Sequence, residues 1–157
     1  MVGSILGNRV RRVEDPELID GRSTYVDDLR IPGTAHAVFV RSPLPHATIT
    51  NIDTWNAEQA PGVLAVHTAE TLGREFVPSF AEIHEAVGHG PLADGVVRYV
   101  GDPVALVVAE TRAQAVDAAE LVDVDYEPLD VVVDMEAALA PGAPQQFPVV
   151  GSNIAQS

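Results

Sequence analysis

The chain has 157 residues, of which 46% are hydrophobic, 20% are charged and only 5% are aromatic. This composition is typical of a globular protein whose core is built from Val, Ala, Leu and Ile. The formal net charge is −14, with no lysine and no cysteine, which argues against a nucleic-acid or anionic-membrane partner and excludes disulfides, iron–sulfur ligation and thiolate zinc sites within the chain.

The charge is unevenly distributed along the chain. Residues 1–41 carry six Arg and six acidic residues, whereas residues 42–157 carry three Arg and 17 acidic residues. The only basic cluster is Arg9, Arg11 and Arg12, followed by two acidic residues. We interpret it as a self-neutralised surface loop, with a docking arm for an acidic partner as the alternative.

Apolar runs are short throughout the sequence. None is long enough for a signal peptide or a membrane span. The sequence therefore predicts a cytoplasmic protein without a membrane span.

The first third of the chain changes from loops to strands. Residues 1–33 predict an N-terminal arm of ordered loops with one short strand near Tyr25. Strands are predicted over 34–41 and over 47–53, the second with Ala47, Ile49 and Asn51 on one face.

A short helix and another strand follow. Asp53 and Thr54 are alternative N-caps for a helix over 55–60, which Pro61 and Gly62 end. A strand over 63–67 and a helical turn over 68–72 come next, and residues 73–95 predict a long loop.

The second half repeats this pattern. Strands are predicted over 96–100 and 104–110, followed by a helix that Thr111 and Gln114 begin as a capping box. The helix has a narrow apolar face of small residues, which suits close packing on a sheet. That face comprises Ala115, Ala118, Ala119 and Val122. Further strands are predicted over 122–126 and 131–133, before a helical turn capped by Asp134.

The order strand–strand–helix–strand thus occurs twice, in 34–67 and in 96–126. We predict an α+β fold in which two such units pack together with mixed or antiparallel sheets. The predicted organisation is an N-terminal arm over 1–33, one domain over 34–150 and the start of a linker over 151–157.

Two motifs match known signatures in letters only. In HEAVGH the two histidines, His84 and His89, are five residues apart, so on a helix they point to different faces and do not match the zinc-protease spacing. Gly88, Gly90 and Ala93 fit GxGxxA, but a strand rather than a helix is predicted to follow, and a dinucleotide site needs that helix.

Acidic residues of the last third do not predict catalysis. Most fall on the polar side of a predicted helix or on the exposed face of a strand, where carboxylates remain solvated. Paired carboxylates for acid–base chemistry are the alternative, and they would require burial. These acidic residues are Asp117, Glu120, Asp123, Asp125 and Glu127. No GxSxG elbow occurs, so no serine nucleophile is predicted.

The stretch RYVGDPVALVVAET contains a glycine beside an apolar run, which raises the question of a phosphate loop. Asp102 is anionic and Pro103 has no N–H to donate, so a phosphate cradle is excluded. We predict a structural turn between two strands, in which Gly101 supplies backbone freedom and Pro103 begins the second strand.

Five stretches, in this order, resemble one family. They are GNRVRRVEDPELIDGRSTYVDDL, FVRSPLPHATITNID, APGVLAVHT, PLADGVVRYVGDPVALVVAET and AVDAAELVDVDYEPLDVVVD. Together they resemble the N-terminal α/β-hammerhead domain of the molybdopterin-binding large subunit of xanthine dehydrogenase, aldehyde oxidase and carbon monoxide dehydrogenase enzymes. The resemblance runs from about Gly7 to about Asn153.

The resemblance implies a domain without the reaction centre of its parent enzyme. In the family the segments that bind the molybdenum–pterin cofactor and the active-site glutamate lie in later domains, and GSNIAQS resembles the linker into the next one. No catalytic, cofactor-binding or metal-binding residue is therefore carried over, and molybdopterin-molybdenum, iron–sulfur and FAD cofactors are implied only for the parent assembly.

The implied partners are the remaining domains of the large subunit and the neighbouring iron–sulfur and flavin subunits. As residues for inter-domain contact we predict Arg9, Arg11, Arg12, Arg41 and His46.

Three functions follow in decreasing order of support. The first is a non-catalytic structural and interface domain, a fragment or split part of a molybdenum hydroxylase large subunit. The alternative is a free-standing acidic binding module with the same fold. An independent enzyme is disfavoured because the sequence shows no convergent polar constellation.

Overall fold

The computed structural model describes residues 12–72, 87–88 and 90–155. Backbone contacts divide the chain into two compact units, Met1–Thr34 and Ala35–Ser157. His84, Glu85 and His89 of the HEAVGH stretch lie outside the described residues.

The N-terminal unit contains helix α1 (Asp15–Ile19) and a 3-10 turn at Val26–Asp28. The prediction of a strand near Tyr25 is wrong. The Tyr25 N–H donates to Asp28 Oδ2 at 2.9 Å, so an aspartate side chain closes a local turn and takes up a group that a strand would offer to a neighbour.

The larger unit contains six strands and four helices among its described residues. The strands are β1 (His36–Arg41), β2 (Ala47–Asp53), β3 (Val63–Thr68), β4 (Val96–Val97), β5 (Pro103–Ala109) and β6 (Asp123–Pro128). The helices are α2 (Trp55–Glu58), α3 (Ala69–Leu72), α4 (Arg112–Ala119) and α5 (Met135–Ala138), followed by a 3-10 turn at Pro148–Val150.

The strands form two antiparallel three-stranded sheets, sheet A in the order β1–β5–β3 and sheet B in the order β4–β2–β6. The predicted α+β class with two strand–strand–helix–strand units is confirmed. Each strand–strand–helix–strand motif gives its two outer strands to one sheet and its middle strand to the centre of the other. Neither motif can therefore complete a sheet alone.

The predicted pattern of β2 fails at one position. The pairing of β2 with β6 shifts register between Ile49 and Asn51, which is the mark of a bulge. As a result Asn51 is exposed, and Ile52 packs against the core in its place.

The strand predicted over 96–100 ends at Val97. The next N–H, that of Arg98, donates to the Asp102 side chain at 2.9 Å and so leaves the ladder. β4 and β5 also lie in different sheets, so the turn between them does not connect paired strands.

The described residues contain no strand over 131–133, which corrects that prediction. After Pro128 the Leu129 N–H donates to the His46 carbonyl at 3.0 Å. His46 Nδ1 lies 2.8 Å from the Asp130 carbonyl oxygen, within hydrogen-bond distance. The Leu129 bond extends the pairing of β2 with β6 by one residue. The Asp130 carbonyl is then bound by a side chain and not by a neighbouring strand.

Residues at the end of the predicted 73–95 loop are buried. Leu92 and Ala93 are 3% and 8% exposed, and the Ala93 N–H donates to the Pro103 carbonyl at 2.7 Å. Residues 73–86 and 89 lie outside the described part of the chain.

The core consists of two clusters of small and medium side chains. The helix-side cluster comprises Ala57, Ala105, Val107, Ala118 and Val122. The crossing-side cluster comprises Ala47, Ala93, Val97 and Val104. Ile52 and Val124 of sheet B pack against both, so the two clusters form one continuous interior.

Helix α4 lies on sheet A as predicted. Thr111 caps it, with its hydroxyl oxygen accepting from the Gln114 N–H at 3.3 Å. Ala115 and Ala118 are fully buried, and the helix contacts all three strands of sheet A. Alanine on this face allows the helix backbone to lie close to the sheet.

Overpacking this contact is expected to destabilise the fold. Ala118→Leu adds volume at a fully buried position and should lower the free energy of unfolding by about 1–3 kcal/mol. Ala113→Leu, on the exposed face of the same helix, should change it by less than about 0.5 kcal/mol. Urea denaturation monitored by circular dichroism measures both, and equal losses would contradict the packing argument.

Candidate functional site at the sheet crossings

Two short segments carry the chain from one sheet to the other. The first, residues 42–46, joins β1 of sheet A to β2 of sheet B, and the second, residues 98–102, joins β4 of sheet B to β5 of sheet A. They are hydrogen-bonded to each other. The Ser42 N–H donates to the Asp102 carbonyl at 2.9 Å, and the Gly101 N–H donates to the Ser42 carbonyl at 2.8 Å.

Asp102 is the centre of the second crossing. Its side chain is buried, with 6% exposure, and accepts the Arg98 N–H at 2.9 Å. Its own N–H donates to the Tyr99 carbonyl at 3.1 Å. Gly101 has a φ of +93°, which a side chain would strain, and Pro103 begins β5 where a missing N–H is tolerated.

Ser42 holds the first crossing in the same local way. Its side chain is almost fully buried; its hydroxyl donates to the Leu44 carbonyl at 2.9 Å and accepts the Leu44 N–H at 3.0 Å. This closed pattern is the turn that serine favours outside regular structure.

Two phenols border the buried carboxylate. Burial raises the pKa of Tyr99, and the charge of Asp102 and a hydrogen bond to it act in the same direction. Burial also raises the pKa of Tyr126; a hydrogen bond with Ser42 opposes this shift, and the charge of Asp102 adds to it. Both phenols are therefore held in their neutral form.

Arg98 connects the crossing to the C-terminal part of the chain. Its Nε donates to the Gln146 carbonyl at 3.2 Å and its Nη1 to the Val96 carbonyl at 3.2 Å. The guanidinium lies 4.4 Å from the centre of the Phe147 ring, within the range of a cation–π contact. Burial lowers the pKa of Arg98, against the charges of Asp102 and Asp94.

The polar groups of the two crossings bind one another rather than point into a cavity. Among the described residues, no set of three His, Asp or Glu side chains is placed to hold a metal ion. The arrangement has the chemistry of a scaffold, in which buried charge and backbone groups are satisfied within the chain. In the same part of the chain no helix is long and apolar enough to span a membrane.

The residues predicted for inter-domain contact have different surroundings. Arg9 and Arg11 lie outside the described residues, and Arg12 is exposed, with its N–H donating to Asp15 Oδ2 at 3.2 Å. Arg41 is exposed, donates to the Gly101 carbonyl at 2.8 Å and lies 5.3 Å from the centre of the Phe39 ring. His46 is only 7% exposed. Their role in contact stays a prediction.

Sequence reasoning identified the turn residues Gly101, Asp102 and Pro103 but missed their partners. Ser42 lies sixty positions away from Asp102, and no local pattern connects them. Arg98 and Tyr99 lie three and two residues before Gly101 in RYVGDP. A cation and a phenol so close to an aspartate are the one sequence signal that could have indicated a polar cluster.

Removing the Asp102 carboxylate should destabilise the crossing. Asp102→Ala leaves the Arg98 N–H and the Tyr99 hydroxyl without their acceptor and should lower the free energy of unfolding by about 1–3 kcal/mol. Asp102→Asn keeps an acceptor oxygen and should lower the free energy of unfolding by less than Asp102→Ala does. Chemical denaturation compares them with Asp123→Ala at an exposed position; losses as large at Asp123 would contradict this assignment.

Tyr126 should make the fold sensitive to alkali. Because its pKa is raised in the folded state, the unfolded chain loses the phenolic proton first, and stability falls as the pH rises through about 10, the ordinary tyrosine value. Tyr126→Phe should show a smaller fall between pH 8 and pH 10.5 in urea denaturation. An unchanged fall would exclude Tyr126 as its source.

Comparison with known proteins shows which proteins share this sequence and architecture. Residues 20–130 match the family model described as the a/b hammerhead domain of aldehyde oxidase and xanthine dehydrogenase. The chain is 44% identical over 144 residues to the nicotine 6-hydroxylase large subunit of Paenarthrobacter nicotinovorans, covering 88% of this chain and 18% of that subunit. It is 45% identical over 142 residues to the carbon monoxide dehydrogenase large chain of Afipia carboxidovorans, covering 88% and 17%.

Solved structures agree with these relatives. Quinoline 2-oxidoreductase from Pseudomonas putida 86 superposes with a TM-score of 0.81 at 37% identity, over 96% of this chain and 20% of that one. The Cu,Mo-CO dehydrogenase in its carbon monoxide-reduced state superposes with a TM-score of 0.77 at 43% identity, over 88% and 17%. The chain spans less than a fifth of the length of the curated relatives named above. It belongs to the α/β-hammerhead domain family of the aldehyde oxidase and xanthine dehydrogenase large subunits.

Proposed function

We propose that this chain is a non-catalytic structural and interface part of a molybdenum-dependent oxidoreductase large subunit. The observation that carries the proposal is the match, along most of the chain, to a segment that makes up only 17–18% of two large subunits. A segment of a larger polypeptide lies against the rest of that polypeptide, and any further role must be argued from its own residues.

The chemistry of the crossings supports a scaffold role. A catalytic acid or base must be within reach of a substrate atom, but the Asp102 carboxylate is buried and engaged by Arg98. The two crossings are instead hydrogen-bonded to each other where the chain passes between the sheets. A rigid frame of this kind is what a larger assembly needs in order to position its neighbouring segments.

The cofactors of such an assembly belong to its other parts in this proposal. Relatives carry molybdenum in their names, such as the xanthine dehydrogenase molybdenum-binding subunit of Escherichia coli O157:H7. Molybdopterin-molybdenum, iron–sulfur and FAD groups are assigned in this proposal to the parent assembly alone, as the family resemblance implies. The partners we propose are the rest of the large subunit and the iron–sulfur and flavin subunits.

The inter-domain contacts that we proposed from the sequence divide by accessibility. Arg12 and Arg41 are exposed and can meet a partner directly. His46 is buried against the Asp130 carbonyl, so its part in such a contact would be to position the chain after β6. Arg9 and Arg11 complete the proposed set.

Association with the rest of a large subunit tests the proposal. The chain should form a stable complex, on size-exclusion chromatography at micromolar concentrations, with the Afipia carboxidovorans carbon monoxide dehydrogenase large chain from which the aligned segment has been deleted. The physical reason is that deletion leaves an uncovered docking face that this chain, 45% identical to the missing segment, can cover.

The intact large chain is the matched control, because its own segment already covers that face and should prevent binding. Failure of the deleted large chain to bind would contradict the interface role. Stoichiometric molybdenum in the isolated chain by elemental analysis, together with turnover, would contradict the non-catalytic role.

A further inference from the structure

The C-terminal part of the larger unit contains an apolar groove. It has a volume of about 290 Å³ and is lined by residues of 132–138, which include helix α5, by residues of 146–155 after that helix, and by Val87. Its lining includes Val132, Val133, Met135, Phe147 and Ile154. Val133 and Met135 are 89% and 86% exposed, so two large apolar side chains at the groove face solvent, which is typical of a surface that another segment covers.

The walls of the groove are fixed by specific bonds. The Asn153 amide nitrogen donates to the Ala138 carbonyl at 3.0 Å and to the Pro144 carbonyl at 2.8 Å, while its oxygen accepts the Gln146 N–H at 3.1 Å. Arg98 holds the Phe147 ring from the side of the crossing. The groove is therefore formed before any partner arrives, which lowers the entropic cost of binding.

Acidic side chains predominate beside the groove. Arg98, a cation in contact with the wall, already binds the Gln146 carbonyl and the Phe147 ring. Residues 113–157 contain eight acidic residues and no Arg, Lys or His. Asp134 lines the groove, and Asp130 and Glu136 lie within two residues of its lining. An occupant with a positive charge beside its apolar side chain is favoured over a neutral or acidic one.

One polar atom in the wall has no hydrogen-bond partner among the described residues. The side-chain oxygen of Gln146 is buried, and an unsatisfied buried acceptor of this kind is costly. An N–H of an occupant reaches this oxygen only if the Gln146 side chain turns toward the groove. The occupant that fits is a polypeptide segment with an apolar side chain and a neighbouring cation.

We propose that this groove receives such a basic, apolar segment from the remainder of the large subunit; the inference rests on the function proposed above. A second free copy of this chain fits less well. The groove is too small to supply the roughly 800 Å² per partner that a standard specific interface buries, whereas a segment anchored through other contacts of the same assembly is held at high effective concentration.

Substitutions at the rim of the groove test the inference. The double variant Val133→Ser with Met135→Ser removes the two exposed apolar side chains, and binding to the deleted Afipia carboxidovorans large chain, measured by titration calorimetry, should weaken about tenfold or more. Val149→Ser is the matched control, since Val149 is 78% exposed in the same segment but does not line the groove. It should bind like the parent chain.

Removing the negative charges of Asp130 and Glu136, close in sequence to the groove lining, should weaken binding through charge alone. Asp130→Asn with Glu136→Gln should weaken binding and reduce its dependence on salt, because both carboxylates are exposed and attract a cation through solvent. Circular dichroism should show every variant as folded as the parent chain.

The outcomes separate the two proposals. If the parent chain binds and the groove variants bind equally well, the groove is not the docking site, and the interface role stands. If the parent chain does not bind at all, the interface role fails and this inference fails with it. If analytical ultracentrifugation shows a dimer of the parent chain that the double variant loses, the occupant is a second copy instead.

Discussion

The exchange of middle strands is the constraint on which the rest of this structure depends. β5 completes the sheet begun by β1 and β3, and β2 completes the sheet of β4 and β6. The chain must therefore pass between the sheets, and residues 42–46 and 98–102 make two of these passages side by side. The backbone hydrogen bonds between Ser42, Gly101 and Asp102 hold the two passages together. A shift of one residue in either passage would displace the strand that follows it.

Local signals in the sequence predicted the elements, and non-local contacts decided the remainder. The Thr111 cap and the burial of Ala115 and Ala118 depend on neighbours within one or two turns, and both are confirmed. Val122, predicted on the same helix face, is buried but lies after the end of the helix. The bulge at Asn51 and the end of β4 at Val97 depend on strands or side chains reached only after folding. Propensity and periodicity contain no information about such partners.

The same distinction applies to the candidate site. Gly101 and Pro103 could be assigned from the sequence because their backbone requirements are intrinsic. The role of Asp102 could not, since the sequence does not show that the carboxylate is buried or that Arg98 and Tyr99 face it. The sequence prediction also gave no role to Arg98. That residue is half-buried and bound to the Gln146 and Val96 carbonyls, and nothing local in the sequence shows these partners.

Arg98 also connects the second crossing, residues 98–102, to the C-terminal groove. Its N–H binds Asp102, and its guanidinium holds Gln146 and Phe147. A residue that is bonded through its backbone and through its side chain links the place where the sheets meet to the wall of the groove. A partly buried cation costs free energy unless its donors are bonded. The bonds of Arg98 to the Gln146 and Val96 carbonyls therefore favour a scaffold whose interior order determines the shape of its outer face.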